Sequence, residues 1–149
     1  MIRVLSADFD VGLELKKLTE GNRKVGAVTS FVGLVRDIAE KDTISAMVLE
    51  HYPGMTEKQL ADIEHEANQR WDLTSSLIIH RYGRLEPGDN IVLVACASAH
   101  RESAFDACHF LIDWLKTKAP FWKLEETPEG GRWVEAKTKD DIATARWEK

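Results

Sequence analysis

The run Ile91–Ala97 constrains this chain most: seven apolar residues in succession, entered through the turn Pro87-Gly88-Asp89. A strand with one wet face alternates apolar and polar side chains, whereas a strand apolar throughout has to be covered on both faces. The chain therefore needs a sheet with this strand inside it and packing elements on either side. Its 149 residues suffice for one domain with a sizeable core.

The remaining segments supply those elements in mixed order. Ile2–Leu5 reads as a short strand. Val11–Leu18 reads as a helix, with Leu13, Leu15 and Leu18 apolar and Gly21 as a stop. Val25–Val35 is β-rich, and Gly26 and Gly33 within it suggest a bulge or a close backbone approach. Asp37–Asp42 is a polar loop, and Ile44–His51 the next strand. Pro53-Gly54 breaks that strand. Thr56 with Gln59 has capping-box form, and Leu60, Ile63, Ala67 and Trp71 recur at helical spacing to Arg70 or Trp71. Leu77–Tyr82 is a further strand.

After the apolar run a helix is expected from about His100 to Lys116, ended by Pro120. Short strands at Phe121–Glu125 and Trp133–Ala136 flank a turn at Pro128-Glu129-Gly130-Gly131. The tail beyond Lys139 is polar apart from Ile142 and Trp147, and is expected as a helical turn or loose chain. Several strands follow one another directly, which favours α+β with largely antiparallel sheet, and no linker divides the chain.

Composition excludes several function classes. A net charge of −5 lacks the broad basic face that nucleic-acid binding needs. No apolar stretch approaches the roughly 20 residues that span a bilayer, and no signal-peptide core follows Met1, so a cytoplasmic location is the default. Cys96 and Cys108 lie in apolar runs and form no C-x-x-C pair, so they read as buried, reduced thiols. His65, His80 and His109 lack ligand spacing, and no metal is expected.

Three segments carry candidate chemistry. Ser98-Ala99-His100-Arg101 joins the apolar strand to the helix. Cations in a first helical turn oppose the helix dipole, and a bound anion reconciles them with it. A surface pairing of Arg101 with Glu102 is the alternative. The run Trp114–Leu124 holds Lys116, Lys118 and Lys123, two tryptophans and no acid but Lys116 also suits a helix C-terminus for dipole reasons alone. Strand alternation turns Lys123 away from Trp122 and Leu124. Facing a pocket it becomes a usable acid or base; otherwise it is a solvated lysine. Arg36, after Leu34-Val35, suits bidentate phosphate contact or is an ordinary surface arginine. The segment Leu49–Met55 reads as structural, because Glu50 and His51 point to opposite faces.

Leu49-Glu50-His51-Tyr52-Pro53-Gly54-Met55-Thr56, Ser98-Ala99-His100-Arg101, Leu115–Lys123, Thr127-Pro128-Glu129-Gly130 and Arg132-Trp133-Val134 together resemble the large subunit of molybdopterin synthase, over about Val25 to Trp133. The resemblance implies an α+β fold, with an α/β-hammerhead-like portion and an additional antiparallel β portion. It implies conversion of cyclic pyranopterin monophosphate to molybdopterin. Two sulfurs come from the thiocarboxylated C-terminal Gly-Gly of a small ubiquitin-like subunit, in a heterotetramer built on a large-subunit dimer, with no cofactor. By resemblance Lys116 and Lys123 are the acid–base pair, and His100 and Arg101 bind phosphate and pterin. Leu34, Val35, Arg36, Leu124 and Glu125 line the substrate. Two departures stand out: the loop Asp37–Asp42 is acidic, and Lys118 stands where arginine is common in the family. The competing readings are a non-catalytic adaptor for a ubiquitin-like protein and a different enzyme for a small phosphorylated substrate.

Overall fold

In the computed structural model, residues 1–37, 45–134 and 138–148 are described. The expected polar loop, from residue 38 onward, and Ala136 fall outside them. The elements are β1 (Ile2–Leu5), α1 (Val11–Thr19), β2 (Ala27–Leu34), β3 (Ala46–His51), α2 (Met55–Arg70), β4 (Ser75–Arg81), β5 (Gly83–Leu85), β6 (Asn90–Ser98), α3 (Arg101–Thr117), β7 (Phe121–Thr127), β8 (Gly130–Val134) and α4 (Thr138–Ala145). Among the described residues no helix is long and apolar enough to cross a membrane.

Two four-stranded sheets form, in the orders β1-β4-β6-β2 and β5-β3-β7-β8. All pairings are antiparallel except β1 with β4. The apolar run is β6, inside the first sheet. Its Val92, Val94 and Cys96 pack with Leu60, Ile63 and Ala67 of α2 and Ala107, Cys108 and Leu111 of α3. Its Leu93 and Ala95 face the other way, with Leu15 and Leu18 of α1. That two-sided cover is what the unbroken apolar pattern demands. A third, smaller core joins Val35 to Met47, Leu49 and Leu85 of the second sheet.

The structure corrects three local expectations. Gly54, not Thr56, is the N-cap of α2; its N–H donates to Glu57, and its φ of 86° suits glycine. Thr56 lies inside the first turn, buried, where its hydroxyl accepts from the Tyr52 N–H and donates to the Pro120 carbonyl. β5 was not expected. It is three residues long and too short for a periodicity to register. β8 begins at Gly130 rather than Trp133, so the turn is tighter.

The tail forms a helix, α4, against α3. Trp147 Nε1 donates to Asp113 Oδ2 at 2.7 Å, and the Thr144 hydroxyl donates to the Asp113 carbonyl at 2.8 Å. Packing of this kind stabilises a helix whose own sequence is polar.

Candidate functional site

The register of β6 decides where each candidate lies. α3 leaves β6 at Ser98 and returns along it, with Cys108 Sγ reaching the Val94 carbonyl. One end of the sheet therefore carries the start of α3, and the other end carries its close.

At the first end, the Ser98 hydroxyl donates to the Asp72 carbonyl at 2.7 Å and accepts from the His100 N–H. Gly26 donates its N–H to the Ser98 carbonyl. A Cβ on Gly26 would stand 2.2 Å from the Ala99 carbonyl oxygen, so only glycine permits this approach. His100 is the N-cap residue of α3, in extended conformation, and its side chain makes no capping bond. An open cleft of about 500 Å³ results, lined by Gly26, Ala27, Ala99, His100, Arg101 and Glu102. First-turn N–H groups, an exposed imidazole and an exposed guanidinium make it a place for an anion.

At the other end, Lys116 stands in the last turn of α3 and Lys123 on β7, two strand positions after its start at Phe121. Lys123 is the cross-strand partner of Leu49 and shares a strand face with Phe121 and Glu125. The opposite face holds Trp122, 49% exposed, and Leu124, whose side chain lies over Gly131. Alternation thus turns Lys123 inward, half-buried, and Leu124 away from it. Glu125 is buried, with Arg132 Nε donating to it at 3.2 Å. β2 also ends here, since Leu34 pairs with Asn90. Leu34 is half-exposed, Val35 sits in the small core, and Arg36 emerges exposed beside it.

His80, on β4, lies among these groups. Its pKa is pushed down to about 3, first by burial, with Lys123, Lys116 and His51 adding repulsion. Both lysine ammonium groups are therefore within electrostatic reach of one imidazole. The ring stacks on Phe121 at 3.6 Å, and His51 adjoins Phe121 and Tyr82. Sequence reasoning missed this cluster. Its only local signal was a histidine in the apolar strand Leu77–Tyr82, and its neighbours come from the other sheet.

The structure thus gathers Lys116, Lys123, Glu125 and the Val35-Arg36 end of β2 on one side, and His100 with Arg101 on the other. Fifteen helical steps separate Arg101 from Lys116, a distance of about 22 Å along α3. The cleft that holds His100 and Arg101 contains neither lysine. The cysteines take no part: both are buried, and burial pushes their thiols up, Cys108 to about 11, where a thiolate is scarce.

Residues 4–118 match the model of the MoaE protein family. This chain belongs to the MoaE family. The molybdopterin synthase catalytic subunit of Ralstonia nicotianae is 58% identical over 146 residues, covering 98% of this chain and 83% of that protein. That of Pseudomonas aeruginosa is 58% identical over 147 residues, covering 99% and 98%. The molybdopterin biosynthesis MoaE protein from Burkholderia ambifaria superposes with a TM-score of 0.85 at 51% identity, covering 100% of this chain and 98% of that one. MoaE membership makes the chain an enzyme subunit of molybdenum cofactor biosynthesis, of the molybdopterin synthase catalytic type. The family match reaches Lys116 but stops before Lys123; the full-length relatives span both positions.

Proposed function

We propose that the chain converts cyclic pyranopterin monophosphate to molybdopterin, taking two sulfurs from the thiocarboxylated C-terminus of a small ubiquitin-like subunit, in the cytoplasm. The observation that carries this reading is the convergence of exposed Lys116 and half-buried Lys123 on the one buried imidazole of His80. A thiocarboxylate and a phosphorylated substrate are both anions, and an acidic protein of net charge −5 needs a local cationic pocket to hold them together. Each thiocarboxylate sulfur displaces an oxygen at a side-chain carbon of the substrate, so a C–S bond forms as a C–O bond breaks; water then cleaves the acyl–sulfur bond, leaving the sulfur on the substrate and a carboxylate on the small subunit. Lys116 and Lys123 transfer protons and stabilise the negative charge that develops, while Arg36, His100 and Arg101 hold the phosphate and pterin.

The separation of the two cationic groups along α3 bears on assembly. Within one chain His100 and Arg101 stand too far from the lysines to grip the same small molecule. A homodimer in which one copy presents the start of α3 to the other copy's lysine end resolves this, and it accords with a heterotetramer built on a large-subunit pair.

The test is reconstitution. The protein is mixed with a thiocarboxylated small subunit and the cyclic substrate, and molybdopterin is assayed. Product formation is expected. An adaptor forms the complex without product, and an unrelated enzyme for phosphorylated substrates gives neither; each of those results overturns the reading.

A further inference from the structure

His80 is 7% exposed, yet it belongs to none of the segments that carry the family resemblance. Its Nδ1 lies 2.8 Å from the Arg81 carbonyl oxygen. A carbonyl only accepts, so Nδ1 bears the proton and donates it. The ring lies almost flat on Phe121, with 14° between planes. Phe121 stands on the same strand face as Lys123 and pairs with His51 across the sheet. β4 belongs to the first sheet and β7 to the second, so this stack is a joint between them. The charged and titratable groups that act on it are Lys123 from β7, Lys116 from α3 and His51 from β3.

We propose that His80 is a positioning residue for the lysine pair: its ring, tethered to the Arg81 carbonyl and pressed on Phe121, fixes where β7 presents Lys123 relative to Lys116. The inference rests on the lysine-pair reading above. Burial and the two ammonium groups both hold the imidazole uncharged, so it walls the site without adding a third cation. A side chain that loses the flat ring frees Phe121, and Lys123 two residues later moves with it. Small displacements of this kind cost turnover more than binding when the substrate is anchored elsewhere.

His80→Gln keeps a donor for the Arg81 carbonyl and loses the ring; His80→Phe keeps the flat ring. In the reconstituted complex, kcat of His80→Gln is expected to fall about tenfold or more with KM within about twofold, and His80→Phe to recover most of the loss. Full kcat in folded His80→Gln overturns the positioning role, as does a His80→Phe variant no better than His80→Gln. If neither variant folds, histidine ¹⁵N NMR of the wild-type protein decides. A neutral ring protonated at Nδ1 from pH 8 to pH 5 supports the assignment, and a ring that becomes cationic in that range overturns it. Lys123→Ala separates the two levels. An active Lys123→Ala enzyme removes the underlying reading, whereas an inactive one beside a fully active His80→Gln removes only the role of His80.

Discussion

Lys123 and Arg101 make different demands on single-site variants. Lys123→Ala removes the group to which the proposed function assigns proton transfer, from a half-buried face and without opening the core, so turnover is expected to fall about a hundredfold or more while thermal stability and small-subunit binding persist. A near-normal rate contradicts its role. Arg101→Ala takes one charged anchor from an exposed cleft. A rise in KM of about tenfold is expected, at about 1.4 kcal/mol per factor of ten, with kcat less affected. An unchanged KM counts against it. His80 predicts a pH dependence of stability. In the unfolded chain it binds a proton below about pH 6.5, and in the fold only near pH 3. The unfolded state thus holds the extra proton, and stability falls as pH falls. Between pH 6.5 and pH 5 the loss from this one group is about 1.5 kcal/mol. In denaturant titrations wild type is expected to lose that much stability relative to His80→Phe over the interval, and parallel pH curves refute the assignment.

At the scale of elements, the contact of β2 with the β6–α3 junction does the positioning. Gly26→Ala places a methyl group 2.2 Å from the Ala99 carbonyl oxygen, against backbone that cannot rotate away. The junction then has to part from β2, at a cost of about 2 kcal/mol, or a melting temperature lower by about 4–8 °C. Calorimetry checks this, and an unchanged melting temperature shows that the junction yields freely. The same elements explain what was legible beforehand. β6 was readable because two-sided burial writes itself into consecutive residues, and α3 because its apolar stripe and Pro120 are local signals. Gly26 was readable as a close approach, though not the partner it approaches. Thr56 misled because its spacing to Gln59 imitates a cap, while its hydroxyl is committed to the distant Pro120 carbonyl. α4 was uncertain because its docking depends on Asp113, far back in the chain. The two lysines were legible as one run, whereas the His80 joint depends on two sheets meeting, which no spacing records.

For the whole molecule the question is how two cationic groups at opposite ends of α3 serve one reaction. α3 is a rigid rod of 17 residues whose Ala107, Cys108, Phe110 and Leu111 lie in the main core. Bringing Arg101 to Lys116 within one chain would mean dismantling that core, at a cost no single small ligand offsets. In the homodimer proposed above a second copy avoids the cost, because a two-fold axis would make each chain both donor and acceptor of the missing half. Complementation follows from that geometry. Homodimers of Lys123→Ala lack the lysine in both sites, and homodimers of Arg101→Ala lack the anchor in both. A mixed dimer joins the intact Lys123 of one chain to the intact Arg101 of the other in one site, and concentrates both defects in the second. After subunit exchange, with substrate kept below the KM of Arg101→Ala, the mixture is expected to make molybdopterin faster than the sum of its parents. Mass spectrometry of the intact assembly confirms that exchange has occurred. If mixed dimers form and the rate stays additive, each chain carries its whole site, and the division along α3 has to be closed by movement within one subunit.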